Sequence, residues 1–206
     1  MIGDSHMRYK FDYLAIQCRG DLPLLPRKHD SSCFGNFCYI YVTYLCNYTN
    51  VWKKHLAPLK LTSADVVVIQ TGSWDLAFKE LHQVMNENIA QFRVGLKAIR
   101  DGLASRRTPL FLFTEPPFTD QRCHQCHGKR GNKNNVAITA LSASIVSTAA
   151  KLGIPVHDEF NLLLPRQSET VCGAHYLCRT ASNSRTVIGP AGIASVELFV
   201  KCLCNC

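Results

Sequence analysis

No apolar run in the 206 residues approaches the ~20 that a membrane-spanning helix needs, which excludes such a span within this chain. Internal repeats are lacking too, and no Pro-, Gly- or Ser-rich linker divides the sequence, so a single domain covering 1–206 is expected. Only 18% of the residues are charged against 47% hydrophobic, a balance that fits a globular core and excludes a disordered chain. The basic excess, a net charge of +8, comes without a nucleic-acid-binding motif, without aromatics interleaved among the cations and without a basic helix. Nucleic acid is therefore not an expected partner. The positive residues gather in "RCHQCHGKRGNKNN" (122–135) and around Lys53, Lys54, Arg106 and Arg107. A solvated basic face is the plain reading, and acidic glycans or anionic surfaces are the alternative.

A signal-peptide pattern is lacking as well, yet the chain opens on "MIGDSHMRYKF", with only Met1 and Ile2 ahead of a Gly-Asp-Ser turn. Loss of an upstream segment, including part of a first strand, is the expectation, so the missing leader decides nothing. Cysteine, by contrast, is plentiful. Eleven are spread along the chain, several in polar loops, which points to disulfides and an oxidising compartment. "NYT" at 47–49 makes Asn47 an N-glycosylation acceptor, in agreement with the secretory pathway. An odd number of cysteines leaves one thiol free, or bonded to a partner chain or a lost segment.

Periodicity then organises the chain. "HMRYKFDYLAIQ" (6–17) predicts a helix directly after the opening turn, with Met7, Phe11 and Leu14 on one face. "YIYVTYL" (39–45) reads as a strand, and the uninterrupted apolar run Val66–Ile69, closed by Gly72, suits a strand buried on both faces of a parallel sheet. A long amphipathic helix is expected from Phe78 through Leu81, Met85, Ile89, Phe92 and Leu96 to Leu103. "TPLFLFTEPP" gives another buried strand, "NVAITALSASIVSTAAKLG" a helix with Gly153 at its C-cap, "IPVHDEF" a short strand and "PAGIASVELFVKCL" a closing helix. Alternating strands and helices indicate an α/β fold, a three-layer α/β/α sandwich around a central parallel sheet. Ligands of such folds sit beyond the carboxyl ends of the strands. Three loops there carry suggestive residues, "GDSH", "QTGSWD" and "TEPPF", and "CGAHYL" (172–177) precedes the last helix.

That ordered set resembles the SGNH/GDSL hydrolase superfamily, which has a flavodoxin-like sandwich fold, and within it the PC-esterase branch of glycan O-acyl esterases and acyltransferases. "GDSHMR" is similar to the branch's Gly-Asp-Ser-x-x-Arg opening, "QTGSWDL" to its Asn-Thr-Gly-His-Trp-type block, and "CGAHYL" to its closing Asp-x-x-His block. The resemblance implies that Ser5 is a nucleophile, His175 its general base, and Asp4 a brace for the turn. It further implies that Arg8 and the Gly72 N–H help hold the developing oxyanion, with Ser73 and Trp74 lining the pocket. The expected substrate is then an acylated carbohydrate or similar small ester, and no cofactor is required. These roles have a physical basis. A serine hydroxyl is a poor nucleophile until an imidazole takes its proton, and each donor aimed at the oxyanion is worth about 3 kcal/mol.

Departures from the pattern are as informative. The family acid three residues before the histidine is here Cys172, which cannot stabilise an imidazolium; loss of such an acid has cost about four orders of magnitude in turnover in other hydrolases. Asp158 or Glu159 could replace it, or a backbone carbonyl could orient the ring in a Ser–His dyad. Gln70 precedes the "TGSW" block where relatives use an asparagine donor, and the family's second-block glycine has no clear counterpart, Gly35 matching it only weakly. A second function class follows from Cys172: a degenerate fold that binds glycans or proteins without turnover. Separately, "CHQCH" in the basic loop 119–135 offers Cys123, Cys126 and His127 (or His124) as zinc ligands, matches a haem-attachment pattern, and equally suits disulfides to other loops.

Overall fold

The computed structural model describes residues 1–19, 32–34, 37–118, 134–170, 176–179 and 187–204. Strands β1 (Ile2–Gly3), β2 (Ser32–Phe34), β3 (Phe37–Tyr41), β4 (Val67–Gln70), β5 (Leu110–Phe113) and β6 (Val156–His157) form one sheet in the order β2-β3-β1-β4-β5-β6. Every neighbouring pair is parallel except β2 with β3. A separate ribbon pairs β7 (Cys178–Arg179) with β8 (Val187–Ile188). Around the sheet lie α1 (Ser5–Arg19), α2 (Ser73–Phe78), α3 (Leu81–Gln83), α4 (Ile89–Ala104), α5 (Asn135–Lys151), α6 (Glu159–Leu163) and α7 (Pro190–Cys204). The fold is the expected α/β sandwich.

Side-chain alternation along the strands sorts the core into two layers. Ile2, Ile40, Val67, Ile69, Leu110 and Leu112 face one way, onto Phe92, Leu96 and Ile99 of α4 and Leu141 and Ile145 of α5. Tyr39, Val68 and Phe113 face the other way, onto Met7 and Phe11 of α1 and Phe199 of α7. The stripe expected on the first helix is thus buried, with Leu14 packed slightly aside, against Tyr13, Leu177 and Val196.

β1 is only two residues long and lies mid-sheet, where Ile2 pairs with Ile40 on one side and Ile69 on the other. Gly3 is required there. A Cβ would lie 2.1 Å from the Gln70 carbonyl oxygen of the adjacent strand.

Two boundaries differ from the sequence expectation. The strand expected to reach residue 45 ends at Tyr41, because the Leu45 N–H is captured by the buried Asp75 carboxylate at 3.0 Å and the chain turns into a 3-10 helix, Leu45–Asn50. Burial raises the Asp75 pKa, and the hydrogen bonds from Leu45 and Asn88 oppose the rise. The long helix does not begin at Phe78. That residue ends α2, 54% exposed and stacked on Trp74, and extended Lys79 and Glu80 separate it from α3. A π-helical stretch, Val84–Asn88, then joins α3 to α4.

Candidate active site

β1, β4, β5 and β6 all deliver their following loops to one edge of the sheet, as parallel pairing requires. β1 and β4 are neighbours whose helices, α1 and α2, cover opposite faces, so the two turns flank a topological switch point. Ser5 sits at that point, half-buried, as the first residue of α1. The turn beneath it is braced twice. The Asp4 carboxylate accepts the His6 N–H at 2.9 Å, and the buried Tyr39 hydroxyl lies 2.9 and 2.7 Å from the Gly3 and Asp4 carbonyl oxygens. Burial pushes the Tyr39 phenol far up, and the Asp4 charge adds to this, so it stays a proton donor. The positive end of a fifteen-residue helix is thereby fixed beside the Ser5 side chain.

Across the switch point, Gly72 has φ +124°, a conformation that few side chains tolerate, and a Cβ there would lie 2.6 Å from Leu141. The turn places Ser73 at the start of α2, where its hydroxyl is buried 3.3 Å from His6 Nε2. Glu115, in the loop after β5, puts a carboxylate oxygen 3.8 Å from the same Nε2, and its Cγ is 3.8 Å from the position of a Cβ on Gly72. Three strand-end loops therefore meet at His6. Because the serine and the carboxylate approach the same ring nitrogen, Ser73, His6 and Glu115 do not form a triad, in which acid and serine occupy opposite nitrogens.

The other predicted residues fall as follows. Arg8 is half-buried, its guanidinium 5.8 Å from the Tyr9 ring centre, and Trp74 is half-buried against Phe78. Asp158 caps α6. One carboxylate oxygen accepts the Asn161 N–H and the Thr114 hydroxyl, each at 3.2 Å, and the other accepts the Asn161 amide. Asn47 and Thr49 are exposed on the 3-10 helix. Cys38 is disulfide-bonded, whereas Cys46 is a free thiol. His175, Cys172, Gly35 and the Cys123, Cys126 and His127 set lie outside the described residues. Among those described, no cluster of metal-ligating side chains occurs.

Sequence reasoning missed a buried polar network directly under the site. Lys10 Nζ lies 2.9 Å from Glu159 and donates to the Gln70 side-chain oxygen at 2.7 Å. Gln70 in turn donates to Glu159 at 2.6 Å and to the Thr114 carbonyl at 2.8 Å. Ser195 of α7 donates to the other Glu159 oxygen at 3.0 Å and contacts His157 Nε2 at 3.0 Å. Both Glu159 oxygens are thus occupied inside the fold. One signal was available: alternation along β4 puts Gln70 on the same face as Val68, toward α1.

No family model matches the chain, and no curated protein matches it in sequence. Solved structures do match in shape. A GDSL-like lipase from Bacteroides thetaiotaomicron superposes with a TM-score of 0.55 at 14% identity, over 97% of this chain and 83% of its own. A member of the lipolytic G-D-S-L family from Veillonella parvula gives 0.54 at 11%, over 97% and 94%. An acetylxylan esterase from Geobacillus stearothermophilus gives 0.54 at 12%, over 97% and 90%.

Proposed function

Since the chain has the fold of the SGNH/GDSL hydrolases, with a serine on the helix that leaves its central strand, we propose that it is a serine esterase or O-acyltransferase acting on acyl, chiefly acetyl, esters of glycans. The observation that carries this is the placement of Ser5: at the switch point, on the positive end of α1, opposite the Gly72 turn. Ser5 Oγ attacks the ester carbonyl carbon while His175 accepts its proton. The oxyanion is held by the N–H groups at the start of α1, by the Gly72 N–H and by Arg8. Collapse breaks the carbon–oxygen bond, His175 returns the proton to the departing sugar hydroxyl, and an acetyl group remains on Ser5. Water or a second hydroxyl, deprotonated by His175, then takes the acetyl group and frees the serine.

Support for His175 comes from its chain neighbour. Tyr176 lines a small pocket together with His6, Tyr9 and Lys10 of α1, so the segment following the histidine runs beside the helix that bears the serine. Asp158 and Glu159 are committed to capping and to the ion pair, which favours a Ser–His dyad over a triad completed by either. We place the protein in the secretory pathway, with an unpaired cysteine available to a partner chain. The test is hydrolysis of an acetyl ester chromogen by the protein and by Ser5→Ala and His175→Ala. A loss of about four orders of magnitude or more in each variant is expected. Equal rates in the protein and Ser5→Ala would overturn the proposal and favour a binding module that has kept the fold.

A further inference from the structure

A cleft of about 540 Å³ opens at the carboxyl end of β3, the strand hydrogen-bonded beside β1. Tyr41, Val42 and Thr43 line it, together with Asn47, Asn50, Val51, Lys53, Lys54 and His55. The volume falls in the range that holds one or two sugar residues or a comparable small molecule. Lys53, Lys54 and His55 all line it, and no carboxylate does among the described residues. These three cations and bases come from consecutive positions of a π-helical turn, Trp52–Leu56, a distortion that recurs at functional sites. The remaining polar groups, Thr43, Asn47 and Asn50, are neutral hydroxyl and amide groups suited to sugar hydroxyls.

The cleft adjoins β3, which pairs with β1, the strand that leads into the serine turn. The Val42 N–H donates to the Gly3 carbonyl at 2.9 Å, and Tyr41 is paired with Gly3 in the sheet register. Tyr41 also feels the turn electrically. Its phenol is raised chiefly by burial, opposed by a hydrogen bond with Thr43, then raised by Asp4 and lowered by Arg8. A ligand lying against Tyr41 and Thr43 is therefore at the end of the strand paired with the one that leads to Ser5.

We propose that this cleft is a subsite for the anionic group of an acidic sugar residue, carboxylated or sulfated, with Lys53 and Lys54 supplying the opposing charge and Asn47, Asn50 and Thr43 contacting its hydroxyls. The inference rests on the esterase reading and gives it a substrate class: the acyl group is carried on, or next to, an acidic sugar. A general surplus of surface lysine does not account for the arrangement, because here the cations line one concave space at the carboxyl end of β3.

Binding read without turnover tests it. Ser5→Ala protein is titrated calorimetrically with a uronate oligosaccharide, a sulfated one and a neutral one of equal length. The acidic ligands are expected to bind about tenfold or more tightly than the neutral one, and the preference falls as salt is raised. Comparison of the two acidic ligands tells carboxylate from sulfate. Adding Lys53→Ala and Lys54→Ala removes the preference, and Lys54→Glu inverts it, with circular dichroism confirming the fold. Equal binding of all three sugars, or a preference that survives the double lysine variant, would overturn the inference. Neither result depends on esterase activity, so failure of the catalytic proposal would be seen separately, in the chromogen assay.

Discussion

The two faces of the sheet are built on different principles. Under α4 and α5 the core is mainly apolar, with Phe92, Leu96, Ile99 and Leu141 fully buried against Ile69 and Leu112. Under α1 and α7 the apolar contacts are fewer, and the Lys10–Gln70–Glu159–Ser195–His157 network occupies the end nearest the serine. The first face is tolerant, because any well-packed set of apolar side chains of similar volume fills it. The second is exacting. Buried charges cost several kcal/mol each to desolvate, and that cost is offset only while every partner is present. The network joins α1, β4, the loop after β5, β6, α6 and α7, and the ends of the first three form the site. The polar face therefore holds the geometry of the site, and the apolar face holds the domain together.

The largest effect expected is on the ion pair, whose side chains are 4% and 1% exposed. Lys10→Met or Glu159→Leu alone leaves a buried charge without its counterion and costs about 3–5 kcal/mol. The double variant Lys10→Met with Glu159→Leu recovers most of that stability in urea unfolding, yet loses catalytic turnover as the loops lose their common anchor. On the opposite face, Leu96→Ala costs about 2–5 kcal/mol, and turnover measured well below the new melting point is retained. If instead the two faces traded signatures, with turnover falling for Leu96→Ala and surviving the double charge removal, the division of labour would be wrong. A smaller effect is expected at the turn. Asp4→Ala removes the cap on the His6 N–H and costs about 1 kcal/mol in stability, with a larger fractional loss of rate.

The smallest effect is pH-dependent. Burial lowers the His157 pKa below its ordinary 6.5, and Lys10 acts in the same direction while Glu159 and Asp158 oppose it. His55 is lowered too, by burial and then by Lys54. The unfolded chain then binds more protons than the folded one below pH 6.5, so stability is full above that value and declines as pH falls toward the folded-state pKa. Chemical unfolding between pH 7.5 and 5 is expected to show this slope, reduced in His157→Phe. An unchanged slope in the variant would assign it to other groups.

This contrast also explains what the sequence made legible. The apolar face was readable, because Ile89, Phe92, Leu96, Ile99 and Leu103 recur at helical spacing and all pack where that spacing put them. So were the two turns, since Gly-Asp-Ser and Thr-Gly-Ser each lie between a strand and a helix, as their turn chemistry implies. The polar network was not. Lys10 and Ser195 are far apart in the chain, each is an ordinary surface residue type, and only the closed sheet brings them to one carboxylate. The misplaced start of the long helix has a similar cause. Phe78 fits the stripe in projection, but extended Lys79 and Glu80 break the helix before it can join.

The most direct test of the central claim is covalent labelling with a fluorophosphonate, which reacts with activated serine hydroxyls, followed by mass spectrometry of the peptides. A single adduct on Ser5, lost in His175→Ala, is the predicted result. An adduct on Ser73 with Ser5 unmodified, or no adduct on folded protein, would contradict it.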